Sequence, residues 1–329
     1  METLKQRFAF FVCSTLFCLL ALSIFSGSLV HGQGLPSSMP TINYNDSAWQ
    51  EVAPGSEEFL VSTPAKLALL KRTGSFKVKR DGEKVLEQRD YSAYAGDFIF
   101  VIRSYKAAHP ERLLNELLGS DALIDNTLVR AVESNVTHDG FNGKQYRINE
   151  GNLYTTIQYL ATLQHVYTFR VIARNEGASA AQKFLASIKL GRVDSNQHAN
   201  DLIEEVNSDL DPLASNAPLS GSAVSPTPAQ TKDEVLTLKE TTHKPTIVWK
   251  PEPQYTETAR RHQLTGTVAL RVILTSSGKI RVVRAVKELG DGLTENAIKA
   301  VKCMRFFPAE KDGRLVSTYA TVEFIFNLY

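Results

Sequence analysis

Apolar and polar residues alternate most regularly in the last third of the chain. Between Thr267 and Leu274, residues Val268, Leu270, Val272 and Leu274 fall on one face and Thr267, Ala269, Arg271 and Ile273 on the other. That two-residue period predicts a half-buried strand. Ser276-Ser277-Gly278-Lys279 follows, glycine supplying the positive φ of a tight turn, and Ile280 to Lys287 is the predicted return strand of a hairpin. From Thr294 to Met304 the apolar residues Ala297, Val301 and Met304 recur at helical spacing, with Thr294 as the expected cap. Val316 to Leu328 alternates again and predicts a long final strand with Ala320, Val322, Phe324, Phe326 and Leu328 inward. A short helix is expected over Thr256 to Gln263, after Pro253-Gln254-Tyr255.

A second patterned region runs from about Trp49 to Gly191. Phe59-Leu60-Val61 is a short strand stopped by Pro64. Val85 to Tyr94 and Phe98 to Tyr105 are predicted strands joined by Ala95-Gly96-Asp97. Pro110 to Leu118 has proline in its first turn and Leu113, Leu114, Leu117 and Leu118 on one stripe, so a helix is predicted, with a second over Asp121 to Val132. Three strands follow, Lys144 to Asn149, Tyr154 to Thr162 and His165 to Ala173. An amphipathic helix over Ser179 to Ile188, capped by Ser179 and burying Phe184, Leu185 and Ile188, closes the region.

Between these regions the periodicity dissolves. Residues 192–243 carry an acidic stretch (Asp194, Asp201, Glu204, Glu205, Asp209, Asp211) and then Pro212, Pro218, Pro226 and Pro228 among Ser, Ala and Asn. So few large apolar residues predict a linker, with one helical turn at most near Leu202 to Val206. At the other end, Lys5 and Arg7 precede an apolar run from Phe8 to Leu22 and the small residues Ser23, Ser26, Gly27 and Ser28. This is the order of a secretory signal cleaved after Gly32; an uncleaved membrane anchor is the rival reading. The division expected is therefore 1–32 signal or anchor, 45–191 first domain, 192–243 linker and 244–329 second domain, α+β in class.

Composition narrows the function. With 329 residues, 43% hydrophobic and 22% charged, the chain is long enough for two domains, and a formal charge of +2 gives no global pull toward nucleic acid. Of the three cysteines, Cys13 and Cys18 lie in the apolar run, so the folded part owns Cys303 alone and no internal disulfide framework exists. The seven histidines never approach ligand spacing, and no metal or cofactor is expected. Ser277-Gly278-Lys279 sits between two strands and not before a helix, so it is a turn and not a phosphate loop. No nucleophile motif is present, and an enzyme is not expected.

Taken together, several local motifs resemble the C-terminal domain of TonB-type energy transducers over about 245–329. They are Pro253-Gln254-Tyr255, Ala259-Arg260, Leu264-Thr265-Gly266-Thr267-Val268, Ser277-Gly278-Lys279-Ile280, Phe306-Phe307-Pro308-Ala309 and Asp312-Gly313-Arg314. Thr256 stands where that family usually has proline, and Cys303-Met304 stand near where many members carry tryptophan. The resemblance implies a three-stranded antiparallel sheet with two helices. The first domain, ending in Ala181-Gln182-Lys183-Phe184-Leu185-Ala186-Ser187-Ile188, is similar to PsbP-like α/β/α sandwiches with an antiparallel sheet.

The TonB resemblance further implies a periplasm-facing protein of the cell envelope whose partner is a peptide of an outer-membrane receptor. That peptide would add to the last strand, with Tyr319, Thr321, Glu323 and Ile325 along the docking edge and Glu252 and Gln254 nearby. An inner-membrane ExbB–ExbD complex is the motor such proteins use. Here the apolar run lacks the family's membrane histidine, and a folded domain replaces most of the long Pro-rich spacer, so coupling stays open. A second reading is a structural protein whose module self-associates as a homodimer or contacts envelope polymer. A third is a small-ligand carrier or enzyme in the first domain, which a pocket with converging polar groups would favour.

Overall fold

Among the described residues the chain builds two main β-sheets, of eight and five strands, each assembled around one of the two patterned regions, with a three-stranded and a two-stranded sheet beside them. In the computed structural model, residues 49–77, 82–119, 131–176, 178–191, 199–211 and 235–328 are described. The signal or anchor segment, residues 121–130 of the expected second helix, and residues 192–198 and 212–234 of the expected linker lie outside them.

The first region contributes strands β1 (Gln50–Val52), β2 (Phe59–Thr63), β3 (Leu67–Lys77), β4 (Lys84–Ala95) and β5 (Phe98–Ala107), then helix α1 (Pro110–Leu118). After it come β6 (Val132–His138), β7 (Phe141–Glu150), β8 (Leu153–Ala161) and β9 (His165–Ala173), then α2 (Ser179–Ala186) and β10 (Lys189–Leu190). The residues expected to be linker yield α3 (Ala199–Leu202), β11 (Ile203–Glu205) and β12 (Val235–Leu236), and β13 (Thr246–Trp249) follows. The second region adds α4 (Glu257–Arg261), β14 (Gly266–Leu274), β15 (Ile280–Lys287), α5 (Leu293–Cys303), β16 (Arg305–Phe307), β17 (Ala309–Lys311) and β18 (Arg314–Phe326).

Eight strands form the large sheet in the order β11-β3-β4-β5-β9-β8-β7-β6, antiparallel throughout except that β11 lies parallel to β3. Alternation along β5 decides its two faces. Phe98, Phe100 and Ile102 point to one side, where with Tyr167, Phe169 and Val171 they bury Phe184 of α2 and Phe59 of β2. Val101 and Tyr105 point to the other, where Leu113, Leu114 and Leu117 of α1 pack with Tyr105, Ile157 and Val166. Helices on opposite faces of an antiparallel sheet make this an α/β/α layering, with the small sheet β1-β2-β10 set beside α2.

Several expectations are corrected here. Ser179 is the first residue of α2 and makes no side-chain cap; Ala178 occupies the cap position. Val132 opens an edge strand instead of ending a helix, and Ile203–Glu205 is a strand where a helical turn was expected. β11 gains its main-chain partner from β3, far away in sequence, which local pattern does not reveal, whereas β6 pairs with the next strand, β7, through the turn at Asp139-Gly140.

In the C-terminal region β15, β14 and β18 lie side by side as the alternation predicts, but the sheet has five strands, not three, because β12 and β17 also pair with β18. Val268, Leu270, Val272, Val322, Phe324 and Phe326 face Ala297, Ile298, Val301 and Met304 of α5 in one apolar cluster. Leu328 lies beyond the strand and is 40% exposed, not inward. Thr294 is not the cap of α5 either. Gly292 is, at φ 80°, and the Thr294 hydroxyl instead ties the Leu289 main chain, accepting from its N–H and donating to its carbonyl. Cys303 is fully buried in this helix, and burial pushes its thiol up to about 12. No helix among the described residues is long and apolar enough to cross a membrane.

The two sheets meet through side chains that belong to both. Phe307 packs with Ile99, Val101 and Ile172 of the large sheet and meets Tyr94 edge-on, while the Arg174 guanidinium lies 4.6 Å from its ring centre. Arg305, 7% exposed, donates to the Lys302 and Met304 carbonyls at the end of α5 and to the Ser92 carbonyl of β4 at 2.9 Å. Burial lowers its pKa, and carbonyl acceptors stand in for the anion that a buried arginine usually requires. The β14–β15 turn also touches the large sheet: a Cβ at Gly278 would stand 2.1 Å from Tyr94 Cδ1.

Candidate functional site: an open strand edge

Strand β18 is bordered unequally along its two sides. Along one side β14 pairs with it from Thr318 to Phe326. At its start β17 folds back on Arg314 to Val316 through Asp312 and Gly313, both at positive φ, and on the side opposite β14 the short β12 runs parallel to Ser317 and Thr318. From Tyr319 to Phe326, among the described residues, β18 has a strand neighbour on one side only. The side away from β14 is thus covered by β12 at Ser317 and Thr318 and open in the remainder.

The predicted docking residues fall in the open part. Val322, Phe324 and Phe326 are buried, so Thr321, Glu323 and Ile325 project from the opposite face; Ile325 is 66% exposed. Tyr319, half-buried on that face, stacks its ring under the Arg271 guanidinium at 4.8 Å. The Glu323 carbonyl points away from β14 and accepts from Lys250 Nζ at 2.6 Å. Main-chain groups alternate sides along an antiparallel strand, so Tyr319, Thr321 and Ile325 turn theirs toward the same open border.

Glu252 and Gln254 lie elsewhere. Glu252 is exposed and faces Arg72 at 3.9 Å. Gln254 uses both ends of its amide on Thr73 of β3, donating to the carbonyl at 2.7 Å and accepting from the N–H at 3.4 Å. Its own carbonyl accepts from Asn296 at 2.8 Å. The sequence-derived set therefore divides into four residues along one strand border and two that engage the large sheet.

Lys250 and Trp249 went unnoticed in the sequence. Trp249 extends from β13 over the large sheet, between the guanidinium groups of Arg103 at 4.7 Å and Arg170 at 5.4 Å. Their one available signal was Ile247-Val248-Trp249, an apolar run with one of only two tryptophans in the chain, just before Pro251.

The first domain also carries a cleft of about 500 Å³ between α2 and the far half of the sheet. Gln145, Arg147, Asn149 and Thr156 line one wall and Ala178, Ala181 and Leu185 the other. Beside it runs a polar chain, His138 to Gln158 at 2.9 Å, Gln158 to Gln145 at 2.9 Å and Gln145 to Ser134 at 3.3 Å. Among the described residues, no group of three or more His, Cys, Asp or Glu could hold a metal ion.

The C-terminal region is thus a small, mostly antiparallel module that ends in a long strand with one side open from Tyr319 onward among the described residues. Residues 251–328 match the family described as Gram-negative bacterial TonB protein C-terminal, which makes this module a TonB-type C-terminal domain. The match spans about a quarter of the chain and leaves the eight-stranded domain outside it. A comparison with curated proteins finds no match.

Proposed function

We propose that the protein works in the cell envelope by accepting an extended peptide of an outer-membrane receptor along the open border of β18. The observation that supports this most directly is that Tyr319 to Phe326, paired with β14 on one side, has no strand on the other among the described residues, in a module of TonB type. Main-chain hydrogen bonds would supply affinity, and the side chains of Thr321, Glu323 and Ile325 selectivity. If residues 1–32 anchor the chain in the inner membrane, an ExbB–ExbD-type complex would have a handle through which to pull; a cleaved chain would bind without pulling.

The test is capture of outer-membrane extract by the full chain and by Thr321→Pro. Proline removes one outward N–H and leaves the β14 side of the strand intact. Receptor capture by the wild type, lost in a Thr321→Pro variant whose circular dichroism is unchanged, supports the reading. Equal capture by both removes β18 from the interaction. Self-association through Ile325 would appear instead as a dimer by light scattering that Thr321→Pro dissolves.

A further inference from the structure

Five consecutive residues, Lys250 to Gln254, reach both sheets of the molecule. At one end Lys250 satisfies the Glu323 carbonyl on the open border of β18 and sets its ammonium 4.8 Å from the Phe324 ring centre. At the other, Gln254 takes both the N–H and the carbonyl of Thr73, as a neighbouring strand would. Thr73 lies at the bulge of β3, where pairing with β4 is interrupted before Phe76 and Gly74 adopts φ 93°. One short strap thus places a side-chain substitute for a strand at an exposed edge of each sheet.

The strap is fastened more firmly to the large sheet than to β18. Trp249 is seated between Arg103 and Arg170, Glu252 faces Arg72, and Ile247 pairs with Phe306 of β16, whose neighbour Phe307 is itself buried against the large sheet. Against β18 it has the single Lys250 contact and the Phe324 ring. An ammonium on a four-carbon stem is a weak holder of a surface carbonyl, because both groups are well solvated when they part.

We propose that the strap is a built-in gate on the docking border, and that the eight-stranded domain sets its tension. The proposal rests on β18 being the docking strand. A peptide pairing there needs the Glu323 carbonyl for its own N–H, so Lys250 and the peptide exclude each other at that oxygen. Lys250 is joined through Pro251 and Glu252 to Gln254, so displacing it strains the Thr73 and Trp249 attachments. Loosening those attachments frees Lys250. The first domain is then a restraint that tunes how readily the module accepts a partner.

The test uses the full chain and a fluorescein-labelled synthetic peptide, Lys-Thr-Val-Thr-Val-Thr-Lys, as a sequence-neutral strand probe followed by anisotropy. Lys250→Met keeps the stem over Phe324 and removes the donor; it should bind the probe about tenfold tighter than wild type, and Lys250→Arg should restore wild-type affinity. Gln254→Ala, which leaves β18 untouched, should tighten binding about threefold and speed amide exchange in the strap. Trp249→Ala should act in the same direction, and Gln254→Ala decides the matter if that variant misfolds. Equal or weaker binding by Lys250→Met, with the probe bound by wild type, overturns the gate and leaves the docking border standing. No binding to any form, Lys250→Met included, removes the docking border and the gate with it.

Discussion

The interiors of the two sheets are built from different materials. Among the described residues of the C-terminal module the one buried charged side chain is Arg305, at its border with the large sheet, and the other buried residues from Val268 to Phe326 are apolar or hydroxyl-bearing. The large sheet encloses a carboxylate: Glu57, whose side chain is fully buried, accepts from Tyr91 at 2.9 Å, Ser104 at 2.6 Å, Tyr167 at 3.1 Å and Arg89 at 3.0 Å. On the opposite face Asp90, 2% exposed, receives two parallel bonds from Arg103 at 2.7 and 3.0 Å. Apolar packing is tolerant of small shifts, whereas a buried charge with every lone pair committed admits one geometry. The first domain is therefore held in a single arrangement at an electrostatic cost, and the module in a drier and more forgiving one.

Removing a partner from the committed network should have the largest effect. Glu57→Ala leaves the Tyr91, Ser104 and Tyr167 hydroxyls without their buried acceptor and takes one of the partners of Arg89, which keeps Glu87 and the Ser56 carbonyl, and should cost about 4 kcal/mol in denaturant unfolding of the first domain. A loss under about 1 kcal/mol would erase the contrast between the two interiors. Leu270→Ala in the module should cost about 3 kcal/mol through lost transfer energy and an unfilled cavity. That loss should be the same at pH 5 and pH 8, because the buried residues Leu270 packs with carry no carboxyl or imidazole.

Next in size is Gly278→Ala, which forces an L-residue to φ 77° and drives a Cβ into the Tyr94 ring. About 2 kcal/mol is expected from the backbone strain alone. Amide exchange should quicken in the β14–β15 turn and in β4 beside it, while the β14–β18 ladder stays protected.

The smallest effect is a pH dependence confined to the first domain. Burial alone would raise the Glu58 carboxyl, but hydrogen bonds from Thr162, His165 and the Gln164 N–H outweigh it and hold the group below its ordinary 4.5. The folded state then binds this proton less readily than the unfolded chain, so the group stabilises the fold above pH 4.5. The contribution is lost as pH falls through the depressed value. Glu58→Gln should flatten the first domain's acid limb without altering its stability at pH 7 by more than the lost bonds, and the module's acid limb should not change.

How much of this was legible in the sequence follows from how local each interaction is. Strand β15 and helix α1 appear within their predicted bounds, because each carries its own period and its own stop signal. Strand β3 was missed: only Leu67 and Leu69 of its eleven residues are buried hydrophobics, and Leu-Ala-Leu-Leu-Lys-Arg-Thr followed by glycine carries no two-residue alternation. The two- and three-residue strands β10, β11, β12, β16 and β17 were equally invisible, being too short for any period to show. Of the open border, Thr321, Glu323 and Ile325 were readable as the outward phase of an alternating strand. The partial closure of that border was not, since it comes from Val235-Leu236 and from Lys250, which lies 73 residues from the carbonyl it covers.

The seal that Leu236 makes beside Thr318 has one more consequence. It gives the exposed border a fixed end, so a visiting segment can slide along β18 only until it meets that stop. Sliding by one position would turn each of its side chains to the opposite face, and sliding by two would leave unmatched groups at the far end. Under the proposed strand addition, that end would be the zero mark from which the alignment of an added strand is counted.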